Sequence, residues 1–293
     1  MKSFLIGATL ASLFVAAPCE AKVLKVVASF SILGDVVKQI GGEHVEVLSL
    51  VPPNGDPHEF EPAPDHAREL KRADIAFISG HGLETWFNRL ARAAGYGGSP
   101  VTVSMAIKPL QMNEDGRMIP DPHVWNDPNN VLAWTSAIET ALAAADPDDA
   151  NAFHENATAY TAKLKAADQF AHEKIDPIPA AKRKVLTSHD AFGYFAKAYD
   201  VKFLAPIGYS TETEPSAAGV AKLIDQIKRE NIKVFFFENS SDTRLVKQIA
   251  AATGATSGGT LYVESLSAKD GPAASYLDMF RYNVEKLADA MAK

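Results

Sequence analysis

Residues 146–177 read DPDDANAFHENATAYTAKLKAADQFAHEKIDP, and this stretch decides how the chain is organised. Asp146 is placed to cap a helix, Pro147 to occupy its first turn, and Asp148 and Asp149 to face the positive end of its dipole. Phe153, Ala157, Tyr160, Leu164, Ala167, Ala171 and Ile175 then return at helical spacing, and Asp176-Pro177 with Pro179 ends the run. A helix of about 29 residues at 1.5 Å per residue is about 43 Å long. The stretch predicts a stiff spacer, where a Gly/Ser tether would allow a wide swing.

On both sides of it, apolar runs alternate with helical patterns. Upstream, Val23–Phe30 is nearly continuously apolar, as a parallel strand covered on both faces is. A helix through Ile32, Val36, Val37 and Ile40 follows and stops at Gly41-Gly42. Further strands are expected over 45–51, 75–79 and 101–104, with helices over 65–71 and 83–94. Downstream, strands are expected over 185–187, 203–205, 234–237 and 261–263, with helices near 191–199, 216–230, 242–252 and 275–291. Such alternation builds βαβ units. The expected fold is therefore α/β: two similar lobes with parallel sheets, residues 22–145 and 181–293, joined by a long rigid helix within 146–180.

The 293 residues are 47% hydrophobic and 22% charged, with a net charge of −7 and no strongly basic tract. That balance suits a folded globular chain and argues against nucleic-acid binding through phosphate neutralisation. Lys2, the apolar run Phe4–Ala17 and the small residues around Cys19-Glu20-Ala21 read as a signal peptide, residues 1–21, cleaved after Ala21. A lipoprotein would instead carry lipid on Cys19, but Pro18 directly before it fits a lipobox badly. Cleavage after Ala21 removes the sole cysteine, so any metal must be held by histidine and carboxylate. A periplasmic, exported protein is expected.

Four residues stand out by their places relative to the strands. His58 sits in PPNGDPH at 52–58, after the 45–51 strand, and His123 in DPHVWNDP at 121–128; both loops are confined by prolines. His189 follows the 185–187 strand through Ser188, and Glu264 is expected to end the 261–263 strand. Ligands of open α/β sheets bind beyond the carboxyl ends of the strands, so two facing lobes could bring three imidazoles and a carboxylate to one point. That donor set suits a tetrahedral ion. Each residue also has an ordinary reading: a loop histidine is most often solvated, and a lone glutamate most often pairs or caps. Neither a C-x-x-C pair nor an H-E-x-x-H helix is present. Glu61 and Glu238 also fall near the expected site, where they would orient imidazoles or form structural ion pairs. His81 is a candidate for the entry path, while His44, His66, His154 and His172 are read as surface residues.

PNGDPHEFEP at 53–62, SGHGLETWFNRL at 79–90, DPHVWNDP at 121–128, SHDAFGYFAKAYD at 188–200, STETEPSA at 210–217 and LYVESLS at 261–267 carry a resemblance. The sequence resembles the cluster A-I solute-binding proteins, the metal-binding components of zinc and manganese ABC importers, over essentially its whole exported length. The resemblance implies two α/β lobes joined by a long helix, with the ion buried between them. It places family ligands on His58, His123 and His189. The fourth, usually aspartate, falls on Glu264, whose extra methylene alters the reach of the carboxylate.

Three imidazoles and one carboxylate suit Zn²⁺ better than Mn²⁺. Manganese-type relatives commonly place glutamate where His189 stands, which also favours zinc, whereas the histidine-rich loop of many zinc relatives is missing from Gln111–Pro120. Zn²⁺ is thus expected as the carried ion, with Mn²⁺ the second choice. The expected partner is an ABC transporter membrane permease; a periplasmic metallochaperone is a conceivable donor, and the chain is expected to be a monomer. A zinc hydrolase would need an open coordination position and a base, and none of its usual motifs occurs. A metal-containing adhesin is the remaining alternative. No enzymatic activity is expected.

Overall fold

The computed structural model describes residues 23–293 except 115, 209 and 212–214. The expected signal peptide and its cleavage site lie outside the described residues. The first half runs β1 (Leu24–Phe30), α1 (Ser31–Gly41), β2 (Val45–Val51), α2 (Pro64–Arg72), β3 (Ile75–Ile78), α3 (Phe87–Ala94), β4 (Val101–Thr102), β5 (Gln111–Glu114), β6 (Arg117–Pro120) and α4 (Pro128–Ala145). Then come α5 (Ala150–Ile175), β7 (Lys184–Leu186), α6 (Gly193–Tyr199), β8 (Lys202–Leu204), α7 (Ala217–Glu230), β9 (Val234–Glu238), α8 (Arg244–Thr253), β10 (Thr256–Leu261) and α9 (Tyr276–Ala292).

The two main sheets are parallel and share one strand order. The first is β2-β1-β3-β4 and the second, read in the same sense, is β8-β7-β9-β10. In both, the earliest strand is central and the connections reverse direction beside it, which opens a crevice at the carboxyl ends of the strands. β1 occupies that central place because every residue except Lys25 is apolar or small enough to be buried.

Three local expectations are corrected. Pro128–Ala145 forms a helix that the sequence reading passed over; Asp127 caps it by accepting the Asn129 N–H, with Pro128 in its first turn. Asp146 therefore closes α4, and α5 begins at Ala150 behind Asp149. Gln111–Pro120, read only as a short stretch, folds as an antiparallel hairpin. β10 ends at Leu261, so Glu264 stands three residues beyond the strand. The Ser257-Gly258-Gly259 irregularity hides this strand, since glycine gives no apolar pattern.

Two helices belong to both lobes. Phe153, Ala157, Tyr160 and Leu164 of α5 enter the first core, and Ala167, Ala171 and Ile175 enter the second. In α9, Tyr276 and Met279 pack in the first core, while Phe280, Val284 and Leu287 pack in the second. The return of α9 to the first lobe was not foreseen. It is fixed by Tyr276, whose N–H donates to Asp35 Oδ2 at 2.8 Å and whose hydroxyl donates to the Trp125 carbonyl at 2.9 Å. Among the described residues no helix is long and apolar enough to cross a membrane.

Candidate metal centre

His58, His123, His189 and Glu264 meet at the seam between the lobes, all buried, with one donor atom from each within 4.8 Å of the others. Glu264 Oε1 is the hub. It lies 2.7 Å from His58 Nε2, 3.2 Å from His123 Nε2 and 3.4 Å from His189 Nε2, and His58 and His123 present Nε2 to one another at 3.3 Å. A tetrahedral ion about 2.1 Å from its donors sets them about 3.4 Å apart. Among the described residues, Glu264 Oε2 and His189 Nε2 are buried without a hydrogen-bond partner. Buried polar atoms are rarely left so, and a cation is the partner that this donor set accepts.

Each histidine is held from behind. Asp56 Oδ1 accepts the N–H of His58 at 2.8 Å and of Glu59 at 3.3 Å, and Trp86 donates its indole N–H to the Pro57 carbonyl at 2.8 Å. Asp121 Oδ1 is 2.9 Å from both the backbone N and the Nδ1 of His123. Glu238, the last residue of β9, has Oε2 2.5 Å from His189 Nδ1, and its Oε1 accepts the N–H of Ser188 at 2.8 Å and of His189 at 3.1 Å. A carboxylate on Nδ1 makes that nitrogen the donor and leaves Nε2 as the free base facing the centre. Glu264 is carried by a chain segment pinned to the first lobe: Trp125 donates its indole N–H to the Val263 carbonyl at 2.7 Å, and Leu266 donates its N–H to Ser31 Oγ at 3.0 Å.

The electrostatics follow. Burial opposes a charged imidazole, but at His123 the hydrogen bonds and charges of Asp121 and Glu264 outweigh it and push the ring up to about 8. At His189 burial likewise acts downward, and the charges of Glu238 and Glu264 lift it well above the ordinary value. Burial would raise Glu264, yet the surrounding imidazoles, led by His58 and His189, hold it well below the carboxylate range. Protons and a cation thus compete for one anionic, histidine-lined point.

Of the other residues singled out in the sequence, Glu238 does orient an imidazole. Glu61 is exposed in a cavity of about 550 Å³ beside His58. His81 stands between Gly80 and Gly82 with φ +54° and is outside the cluster. His44, His154 and His172 pair with Asp149, Glu139 and Asp176, and His66 accepts the Ala63 N–H. Asp121, which aims His123, is not among the residues singled out in the sequence; its position two residues before His123, fixed by Pro122, is the signal that would find it.

Residues 26–290 match the family described as zinc-uptake complex component A, periplasmic. The chain is 35% identical over 271 residues to the iron-binding protein YfeA of Yersinia pestis, covering 92% of this chain and 86% of that one. It is 30% identical over 270 residues to the manganese-binding lipoprotein MntA of Halalkalibacterium halodurans, covering 92% and 89%. Among solved structures it superposes on the Mn-bound periplasmic metal-binding protein of Candidatus Liberibacter asiaticus with a TM-score of 0.82 at 31% identity. It superposes on the periplasmic zinc-binding protein TroA of Treponema pallidum with a TM-score of 0.86 at 26% identity, each match covering 92% of this chain and 99% of the other. Relatives of this kind are substrate-binding transport proteins and not enzymes, and this chain belongs to the same family, the substrate-binding proteins of metal ABC importers.

Proposed function

We propose that this protein captures Zn²⁺ outside the cytoplasm through His58, His123, His189 and Glu264 and delivers it to an ABC import permease. The observation that carries the reading is the convergence of three imidazole nitrogens and one carboxylate oxygen within 4.8 Å of one another, with Glu264 Oε1 2.7–3.4 Å from all three nitrogens. Mn²⁺ is the second reading, favoured by Glu264 Oε2: as an additional oxygen donor it would raise the coordination number, which suits a harder ion. The names of the relatives include manganese and iron binders as well as zinc binders. Metal analysis of the purified protein, followed by competitive titration of the chelator-stripped form with Zn²⁺ and Mn²⁺, decides between them. One equivalent of Zn²⁺ that Mn²⁺ cannot displace is expected; stoichiometric Mn²⁺ retained against Zn²⁺ reverses the assignment.

Export rests on residues 1–21 as signal peptide. Several relatives are named lipoproteins, which gives Cys19 a second use as a lipid-bearing N-terminus. The intact mass of the mature protein distinguishes a free residue 22 from a lipidated Cys19. The proposed division is a first lobe over 22–145, a connecting segment over 146–180 and a second lobe over 181–293.

A further inference from the structure

The segment just after His189 leaves its own lobe. Tyr194 of α6 is buried in the first core, where its hydroxyl donates to the Asp121 carbonyl at 2.9 Å and accepts the Leu110 N–H at 3.0 Å. Gly193 lies against the same residue, since a Cβ there would stand 2.5 Å from Asp121 Oδ2. The other carboxylate oxygen of Asp121 holds both the ring and the backbone of His123. In the opposite direction, Asn126 of the first lobe donates from Nδ2 to the Ala191 carbonyl at 2.9 Å, two residues past His189.

We propose that Tyr194, Gly193 and Asn126 are positioning residues of a reciprocal clamp, in which each lobe fixes a histidine carried by the other. Tyr194 and Gly193 set the carbonyl and carboxylate of Asp121, and so the aim of His123. Asn126 sets Ala191, and so the segment that carries His189. Tyr194, Asp121, Asn126 and Ala191 are buried and Gly193 and Leu110 half-buried, so losing one partner leaves a carbonyl or N–H unpaired and the segment displaced. The inference deepens the metal-carrier reading and rests on its ligand set.

The test uses the full exported chain, stripped of metal. Zn²⁺ affinity is read by chelator competition, and Co²⁺ is used as a probe whose d–d absorption reports ligand number and geometry. Tyr194→Phe is expected to weaken Zn²⁺ binding about 10-fold and to change the Co²⁺ spectrum. Gly193→Ala is expected to weaken binding in the parent chain but not when Asp121→Ala is already present, because its effect runs through that carboxylate. Tyr199→Phe, which removes the hydroxyl bonded to Asp168 at the far end of α6, leaves both readouts unchanged. Parent-like affinity and spectrum in Tyr194→Phe overturn the clamp, as does an undiminished Gly193→Ala loss in the Asp121→Ala background. His123→Ala separates the two levels. Unchanged Zn²⁺ affinity there removes the ligand set and the clamp together, whereas its loss beside an unaffected Tyr194→Phe sinks the clamp alone.

Discussion

In the first lobe the carboxylate that follows the third strand, Glu84, accepts Ser29 Oγ–H at 2.7 Å and the N–H groups of Ser79 at 2.6 Å and Gly80 at 3.1 Å. In the second lobe the carboxylate that ends the third strand, Glu238, reaches the imidazole of His189 instead. The strand order is the same and both carboxylates are buried, yet one stiffens loops and the other aims the imidazole of a proposed ligand. The first lobe obtains its aiming group locally, from Asp121 two residues before His123. The second obtains it across its sheet, from a residue 49 positions away. A local support survives small shifts of the sheet; a distant one ties the imidazole of His189 to the register of β7 against β9.

The largest effect expected from testing this contrast is removal of a ligand from either side. His123→Ala and His189→Ala should each weaken Zn²⁺ binding by more than about 100-fold, read by chelator competition, since each takes away a proposed donor. Equal losses would show both lobes needed for capture; a small loss for one would assign capture to the other lobe. Next comes Glu238→Gln, expected to cost about 30-fold in affinity, against about 10-fold for Asp121→Asn. The first also disturbs the N–H groups of Ser188 and His189, and a reversed ranking would contradict the local-versus-distant distinction.

The pH response is smaller. In the metal-free fold His123 titrates at about 8, above the unfolded value of about 6.5. Its contribution to stability is complete below about 6.5 and is lost as pH rises through about 8, so the metal-free melting temperature should fall across that window. If His123 is a ligand as proposed, Zn²⁺ displaces the same proton, so affinity should tighten from pH 6.5 to 8, with proton uptake by buffer visible in calorimetry. The smallest effect on affinity belongs to Glu84→Ala, within about 3-fold. It strands buried donors at Ser29, Ser79 and Gly80, and should lower stability by about 2–4 kcal/mol in chemical denaturation.

The α/β alternation, the two lobes and the long helix were legible because buried parallel strands and an amphipathic helix each impose a period on the sequence. The four clustered residues were legible as candidates by their places after strands or in proline-bound loops. Other features had a masked or missing pattern. α4 was passed over although Val131, Trp134, Ile138 and Leu142 repeat at helical spacing, because Asp146-Pro147 drew the helix start to itself. β10 was displaced by its glycines, and the hairpin of β5 and β6 has too few apolar residues to show a pattern. The Tyr194 hydroxyl bonds to the Asp121 carbonyl, a group that every residue type supplies, so no residue pattern announces it.

The helices shared by both cores have a thermal consequence. Two lobes on a loose tether can melt separately, each with its own transition. Here α5 and α9 each contribute to both apolar interiors, so unfolding either lobe strips apolar cover from the other. The chain should therefore absorb heat in one cooperative transition. An ion seated on the seam as proposed, bound by the folded state of both halves, would raise that transition as a whole. With the proposed ligand set, cargo binding and the integrity of the entire molecule would be a single equilibrium.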